Sequence, residues 1–183
     1  MAATAVPDTP AEFLSCLASG ACLREVSADF AHEPRSALHA RRLAREHLAA
    51  WGFARRGDLT ERVVLTVSEL MSNAVQHGLP ETRKDGIALS LRFLPGVALG
   101  VGVGDGSSAR PILNDYRTGD AVDGRGMQIV ALESTCWTTE QLDGDIGKTV
   151  WAFFLCEASC SMGAETANAV HGSAACASSG VNW

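Results

Sequence analysis

The chain has 183 residues, of which 46% are hydrophobic and 20% charged, enough to bury the core of one domain with chain left over. A net charge of −6 supplies no basic field, which argues against a nucleic-acid or anionic-lipid partner. No run of about 18 apolar residues could cross a bilayer, and the start MAATAVPDTPAEFLSCLASGACL lacks the Lys or Arg of a secretory leader, so a cytoplasmic protein without a membrane segment is expected.

Residues 1–24 carry Pro7, Pro10, Gly20 and many Ala, Ser and Thr. They read as a flexible N-terminal extension in which 11–18 could form a short helix. Arg24–Phe30 alternates as a strand, with Val26, Ala28 and Phe30 on one face. Pro34 opens and Gly52 closes a helix over 35–51, built from Ala, Arg and Leu, with Leu38, Arg41, Ala44 and Leu48 marking one face and Trp51 ending it. Arg41, Arg42 and Arg45 form the one basic cluster, expected to be solvated or to meet a partner. His39 and His47 form no ligand set and read as surface residues.

Gly57-Asp58 breaks the chain, and Asp58 or Thr60 can cap a long helix over Leu59–Gly78. Val63, Val67, Leu70 and Ala74 fall together on it, with Val64, Met71 and Val75 beside them, as a wide apolar stripe. Glu69 and Asn73, one turn apart, point away from that stripe and can reach one small object. Ile87–Phe93 and Val97–Val103, joined at Pro95-Gly96, read as an antiparallel pair. Gly100 and Gly102 mark a close approach to the second strand.

Asp105–Gly126 is rich in Gly, Ser, Pro and Asp, without hydrophobic periodicity. A loop of about 20 residues inside a domain suggests a functional lid. A helix resumes over 127–132, followed by strands over 135–142 and 148–156 about an Asp143-Gly144-Asp145 turn. From 158 to 183 the sequence is Ala/Ser/Gly-rich and is expected to be a disordered tail, which leaves 25–157 as the domain. The six cysteines (Cys16, Cys22, Cys136, Cys156, Cys160 and Cys176) show no paired C-x-x-C spacing and read as free thiols.

Three stations stand in fixed order: Glu69-Leu70-x-x-Asn73-Ala74-x-x-His77-Gly78, Asp105-Gly106, and Gly124-Arg125-Gly126-Met127 with Gly147-Lys148-Thr149-Val150-Trp151 after it. Each has a use in holding a nucleotide. A carboxamide such as Asn73 is a neutral oxygen ligand for Mg²⁺. A carboxylate one turn away can hold a metal-bound water or act as a base. An Asp at a strand end can accept the exocyclic amino group of adenine. Backbone N–H groups at a glycine-rich helix start favour phosphate. A Thr hydroxyl on a neighbouring strand can bridge through water. Each station alone is a common turn or a solvated face; their order and spacing together are specific.

Over residues 26–156 the chain resembles the histidine-kinase-like ATPase superfamily, whose members share the Bergerat nucleotide-binding fold. ELMSNAVQHG is similar to its N-box, Asp105-Gly106 to the start of its G1 box, GRGMQIV to its G2 box and GKTVW to its last strand. The G1 pattern D-x-G-x-G carries Ser107 in place of its first later glycine. The VSEL…NAVQHG wording and the DFAHEPRSALHARRLAREHLAAWG lead-in look like the anti-sigma factor serine/threonine kinase branch.

The resemblance implies an α/β (α+β) two-layer sandwich, a mixed, mostly antiparallel sheet covered on one face by about three helices. It implies ATP and Mg²⁺ as cofactors, with Asn73 as the Mg²⁺ ligand and Glu69 as the catalytic base or water-orienting carboxylate. Asp105 with Gly106 would read adenine, and Gly124, Arg125, Gly126 and Met127 would form the phosphate-side turn. Thr149 would support the adenine end. His77 would lie near the phosphates, or equally would stabilise its helix C-terminus. The implied function is an anti-sigma factor with protein kinase activity, with a sigma factor and an anti-sigma antagonist as partners; a homodimer is compatible with the branch. The alternative is an ATP-binding conformational switch that sequesters a partner through the 35–51 helix without kinase turnover. Neither a complete histidine kinase nor a nucleic-acid regulator is expected.

Overall fold

One strand of this protein is buried along its whole length, and the other elements are arranged to cover it. The computed structural model describes residues 7–19, 23–78, 86–112, 125–142 and 147–156. In chain order they form α1 (Pro10–Ser19), β1 (Arg24–Phe30), α2 (Ser36–Ala50), α3 (Asp58–His77), β2 (Ile87–Leu94), β3 (Ala98–Asp105), α4 (Gly126–Glu133), β4 (Cys136–Gln141) and β5 (Lys148–Leu155). The strands make one five-stranded sheet in the order β1-β2-β3-β5-β4. Every neighbouring pair is antiparallel. Among the described residues no helix is long and apolar enough to cross a membrane.

Period-two alternation sorts the sheet into two faces. Ile87, Leu89, Leu91 and Phe93 of β2, Leu99, Val101 and Val103 of β3, and Val150, Ala152 and Phe154 of β5 join one core with α2, α3 and α4. Ala98 of β3 and Trp151 and Phe153 of β5 face the other way, into a smaller cluster with Phe13 and Leu17 of α1. All eight residues of β3 are buried. The three helices on one face match the sequence expectation, and α1 adds cover on the opposite face.

That helix corrects the reading of residues 1–24 as a loose extension, at least for the described part, 7–19. Its start is a capping box. The backbone N–H groups of Asp8 and Thr9 donate to Glu12 Oε2 at 3.0 and 3.1 Å, and the Glu12 N–H donates to Thr9 Oγ1 at 3.4 Å. The Asp8 N–H bond foremost holds the Glu12 carboxyl down from 4.5 to about 2. Gly100 and Gly102 are the close approaches foreseen on β3. A Cβ on Gly100 would meet Leu17 Cδ1 of α1 at 2.7 Å, and one on Gly102 would meet the Trp151 indole at 2.7 Å. Phe13 stacks on Phe153 with ring centroids 5.2 Å apart.

On the main face, α3 buries Val63, Val67, Leu70 and Ala74 with Val64 and Met71, the expected stripe. Its N-cap is Gly57, without a side-chain cap. Thr60, expected as a possible cap, instead donates its hydroxyl to the Ala54 carbonyl at 2.7 Å. α2 packs through Ala37, Ala40, Ala44 and Leu48, while Leu38 is 57% exposed. Small residues bring the two helices together, which turns the packed face of α2 away from the expected Leu38. Gly52 ends α2 at φ 98°, the left-handed conformation that favours glycine. Residues 158–183 and most of 105–126 lie outside the described residues.

Phe13→Ala tests the docking of α1. Truncating a fully buried phenylalanine costs about 3–5 kcal/mol, so the urea midpoint is expected to fall clearly; a loose N-terminal segment would leave it unchanged.

Candidate nucleotide site

Three glycines let the site's backbones come together. A Cβ on Gly78, at the end of α3, would lie 2.3 Å from the Ala74 carbonyl oxygen and 3.2 Å from Asp105 Cβ. One on Gly147, where φ is +105°, would lie 2.4 Å from the Asp105 carbonyl oxygen. Asp105 at the end of β3 is therefore clasped between the end of α3 and the start of β5. One on Gly126, the first residue of α4, would lie 3.1 Å from both Glu69 Oε2 and Asn73 Oδ1. The carboxylate and carboxamide of α3 thus converge on one point at the start of α4.

Between these two ends lies a cavity of about 350 Å³. Leu70, Val103, Met127 and Val150 form apolar walls, and Asn73, His77, Asp105 and Lys148 present polar groups to it. Of the sequence-derived site residues, Asn73, His77, Asp105 and Met127 line this cavity, and Glu69 stands beside Asn73 at the α4 start. His77 is exposed and Asn73 half-buried. Arg125 is the N-cap of α4, without a side-chain cap bond. Gly106 follows Asp105 in the turn leaving β3. Gly124 lies outside the described residues.

Thr149 is misplaced by the sequence reading. Along β5 it alternates with Lys148 and Val150 and shares a face with Trp151 and Phe153, whereas the cavity takes Lys148 and Val150. The β5 residue beside Asp105 in the cavity is therefore Lys148. It is paired in register with Asp105, and both side chains are 6% exposed. Its Nζ donates to Asp105 Oδ1 at 2.9 Å, to Asp105 Oδ2 at 3.0 Å and to the Ser107 carbonyl at 3.0 Å. The Ser107 N–H adds a bond to Asp105 Oδ1 at 2.8 Å. Ser107 Oγ accepts from the Ala109 N–H at 3.3 Å, so the residue that replaces a glycine of the resembled pattern closes the turn with its own side chain. A lysine opening an otherwise apolar strand was the available sequence signal; an unpaired charge has no place inside a core.

The oxygen pair on α3 fits a hard cation in kind. Mg²⁺ takes one or two protein oxygens and fills its remaining positions with water and phosphate. Among the described residues no group of three or more His, Cys, Asp or Glu could hold a metal without a ligand's help. The first-turn N–H groups of α4 open next to that pair, where an anion is favoured.

No protein-family model and no curated protein matches the sequence. A solved structure does: the crystal structure of the RsbU and RsbW domains of Rv1364c from Mycobacterium tuberculosis, at 19% identity and a TM-score of 0.52. The match covers 72% of this chain and 32% of that one, so the chain spans about a third of that structure's length. The likeness is one of fold, an α+β sandwich with an antiparallel sheet.

Gly126→Ala probes the convergence at α4. Alanine favours a helix over glycine by about 1 kcal/mol, so the fold is expected to survive. Its methyl would push Glu69 and Asn73 aside, so Mg²⁺-dependent nucleotide binding, read by calorimetry, is expected to weaken.

Proposed function

We propose that this protein is an ATP-binding regulator of the anti-sigma type, acting as a serine/threonine protein kinase on an antagonist protein. The observation that carries this reading is the cavity with an acidic acceptor, Asp105, at one end and the Glu69/Asn73 pair facing a helix N-terminus at the other. The motif order in the sequence and the fold likeness to a structure containing an RsbW domain support it.

In this reading Asp105 accepts the amino group of the base, and the apolar walls hold its faces. Asn73 would hold Mg²⁺ through its carboxamide oxygen, with Glu69 orienting a metal-bound water or the attacking hydroxyl. Bound Mg²⁺ supplies charge neutralisation on the phosphates, which phosphoryl transfer needs more than covalent help. Glu69 takes the proton of the partner's serine hydroxyl as its oxygen bonds to the γ-phosphorus and ADP departs. The α4 N–H groups support the phosphate oxygens.

The alternative, partner capture through α2 without turnover, draws less from the structure. Arg41 Nη1 donates to Ser68 Oγ at 2.8 Å, and Arg45 Nη2 to Glu61 Oε2 at 2.8 Å. Two of the three arginines expected to be solvated or to meet a partner are thus engaged in joining α2 to α3.

Two variants test the proposal with purified protein, Mg²⁺-ATP and a candidate antagonist. Asn73→Ala is expected to abolish Mg²⁺-dependent nucleotide binding while the circular dichroism stays native. Glu69→Ala is expected to bind ATP but to lose phosphate transfer by about 10²–10⁴-fold, the usual contribution of a general base. No transfer by wild type, or equal transfer by Glu69→Ala, would refute the kinase reading.

A further inference from the structure

Among the described residues the side chains of Lys148 and Arg110 bring positive charge to the cavity wall. Lys148 is committed. It gives its three N–H donors to Asp105 Oδ1, Asp105 Oδ2 and the Ser107 carbonyl. Arg110 is not. It is exposed at the rim, lines the same cavity, and has no hydrogen-bond or ion-pair partner among the described residues. Arginines elsewhere in the fold are used differently: Arg41, Arg45, Arg62 and Arg92 each donate to an oxygen of a neighbouring element.

The stretch that carries Arg110 is fixed at its root. The Ala109 N–H donates to Ser107 Oγ at 3.3 Å, the Gln141 amide donates to the Ser108 carbonyl at 3.1 Å, and Lys148 holds the Ser107 carbonyl. Arg110 therefore stands one residue beyond an anchored turn, and the Pro111 ring after it limits how the backbone leaves. The distances are short. From Gly78, packed against Asp105, back to Asn73, α3 advances about 7–8 Å. A side chain as long as arginine spans much of that length from the rim.

Charge decides what that side chain is for. Lys148 cancels Asp105, so Glu69 would leave the site negative, an unfavourable place for a polyanion. Arg110 offsets Glu69 from the open side. Its guanidinium presents five N–H donors in one plane, a shape that matches a phosphate bidentately. The apolar walls of the cavity offer it no partner. We infer that Arg110 is a positioning residue that engages the phosphate chain of the nucleotide from the cavity rim, so that the site tells a nucleotide from a nucleoside by charge. This inference rests on the nucleotide reading above and deepens it, since Arg110 lies outside the three stations read in the sequence.

The experiment titrates the full chain by calorimetry with Mg²⁺-ATP and with adenosine, which has the same base and ribose and no phosphate, at low and at raised salt. Arg110→Met keeps an apolar stem and removes the charge. Arg110→Lys keeps a charge without the planar fork. Arg110 is exposed, so both variants are expected to keep the wild-type circular dichroism. In Arg110→Met the affinity for ATP is expected to fall about ten- to a hundredfold, the scale of a lost charge-assisted contact, while that for adenosine stays within about twofold. Arg110→Lys is expected to lie between wild type and Arg110→Met. The salt dependence of ATP binding is expected to be shallower in Arg110→Met than in wild type, because a screened contact is gone.

An unchanged ATP affinity in Arg110→Met overturns the inference, as does an equal loss for ATP and adenosine, which is what a guanidinium stacked on the base would give. Where adenosine binds too weakly to titrate, the salt series decides: a wild-type slope in Arg110→Met refutes the inference and a shallower one supports it. If Arg110→Met does not fold, Arg110→Gln is read in the same two ways. Wild type binding adenosine as tightly as ATP overturns this inference alone. Wild type binding neither probe overturns the nucleotide reading and this inference with it.

Discussion

The constraint on which the structure turns is that β3 is buried on both faces and ends in a charge. Its odd positions, Leu99, Val101 and Val103, need the helical layer. Its even positions are Ala98 and glycines, so the opposite face lies low enough for Leu17 of α1 and the Trp151 indole to reach it. At the end of the strand, on the helical side, stands Asp105. A carboxylate buried there must be paired, and the antiparallel register with β5 puts Lys148 opposite it. Breaking such a buried pair by removing one partner costs about 3–5 kcal/mol. The strand that organises the core and the group that marks the site are thus parts of one arrangement.

α3 is the second element under constraint, because it must serve the core with one face and the cavity with another. Its position is held from both sides. Arg41 and Arg45 of α2 bond to Ser68 and Glu61. On the other flank, Arg62 of α3 donates to the Glu133 carbonyl at the end of α4 and lies over the Phe154 ring, 5.9 Å from its centroid. These contacts set where Glu69 and Asn73 stand relative to Gly126. A carboxylate and an amide oxygen presented to a helix start are useful only if both helices keep their spacing, and arginines with partly buried stems provide that. The two ends of the cavity differ accordingly. The Asp105 end is closed by the buried ion pair with Lys148, and the other end places the Glu69 and Asn73 oxygens beside the start of α4.

Much of this could be read before the fold was known. The apolar stripe of α3, the Glu69/Asn73 spacing, the β2–β3 hairpin and the glycine stop at Gly52 all follow from local rules and stand in the structure as expected. Asp105 was identified from its place after a strand, and its burial beside the cavity agrees with that. The misses have identifiable physical causes. Leu38 was taken for a packing residue because it is the larger hydrophobe, but α2 approaches α3 closely and alanines fit there better. The short helix over 11–18 was read as possible, but its docking as α1 was not foreseen, because the composition is that of a loose segment, although Thr9-Pro10-Ala11-Glu12 spells a capping box. Thr149 was named because a hydroxyl suits a water-bridged base, and Lys148 was not considered because a lysine in an apolar strand does not suggest a cavity.

What the sequence by itself determined was therefore periodic and local: which stretches are helices or strands, where they stop, and which side chains lie one helical turn apart. Repeats of 3.6 and 2.0 residues are written into the chain and survive whatever the tertiary fold does. Only the tertiary structure decided which face of β5 meets the helices. Both faces of KTVWAFFL are apolar, so alternation alone cannot orient the strand, and a shift of one residue exchanges Lys148 for Thr149 at the cavity. The antiparallel register with β3 resolves that choice by placing a lysine against an aspartate, which is a long-range electrostatic match. The docking of α1 is of the same kind, since the space it fills exists only once β3, with its glycines, lies beside β5.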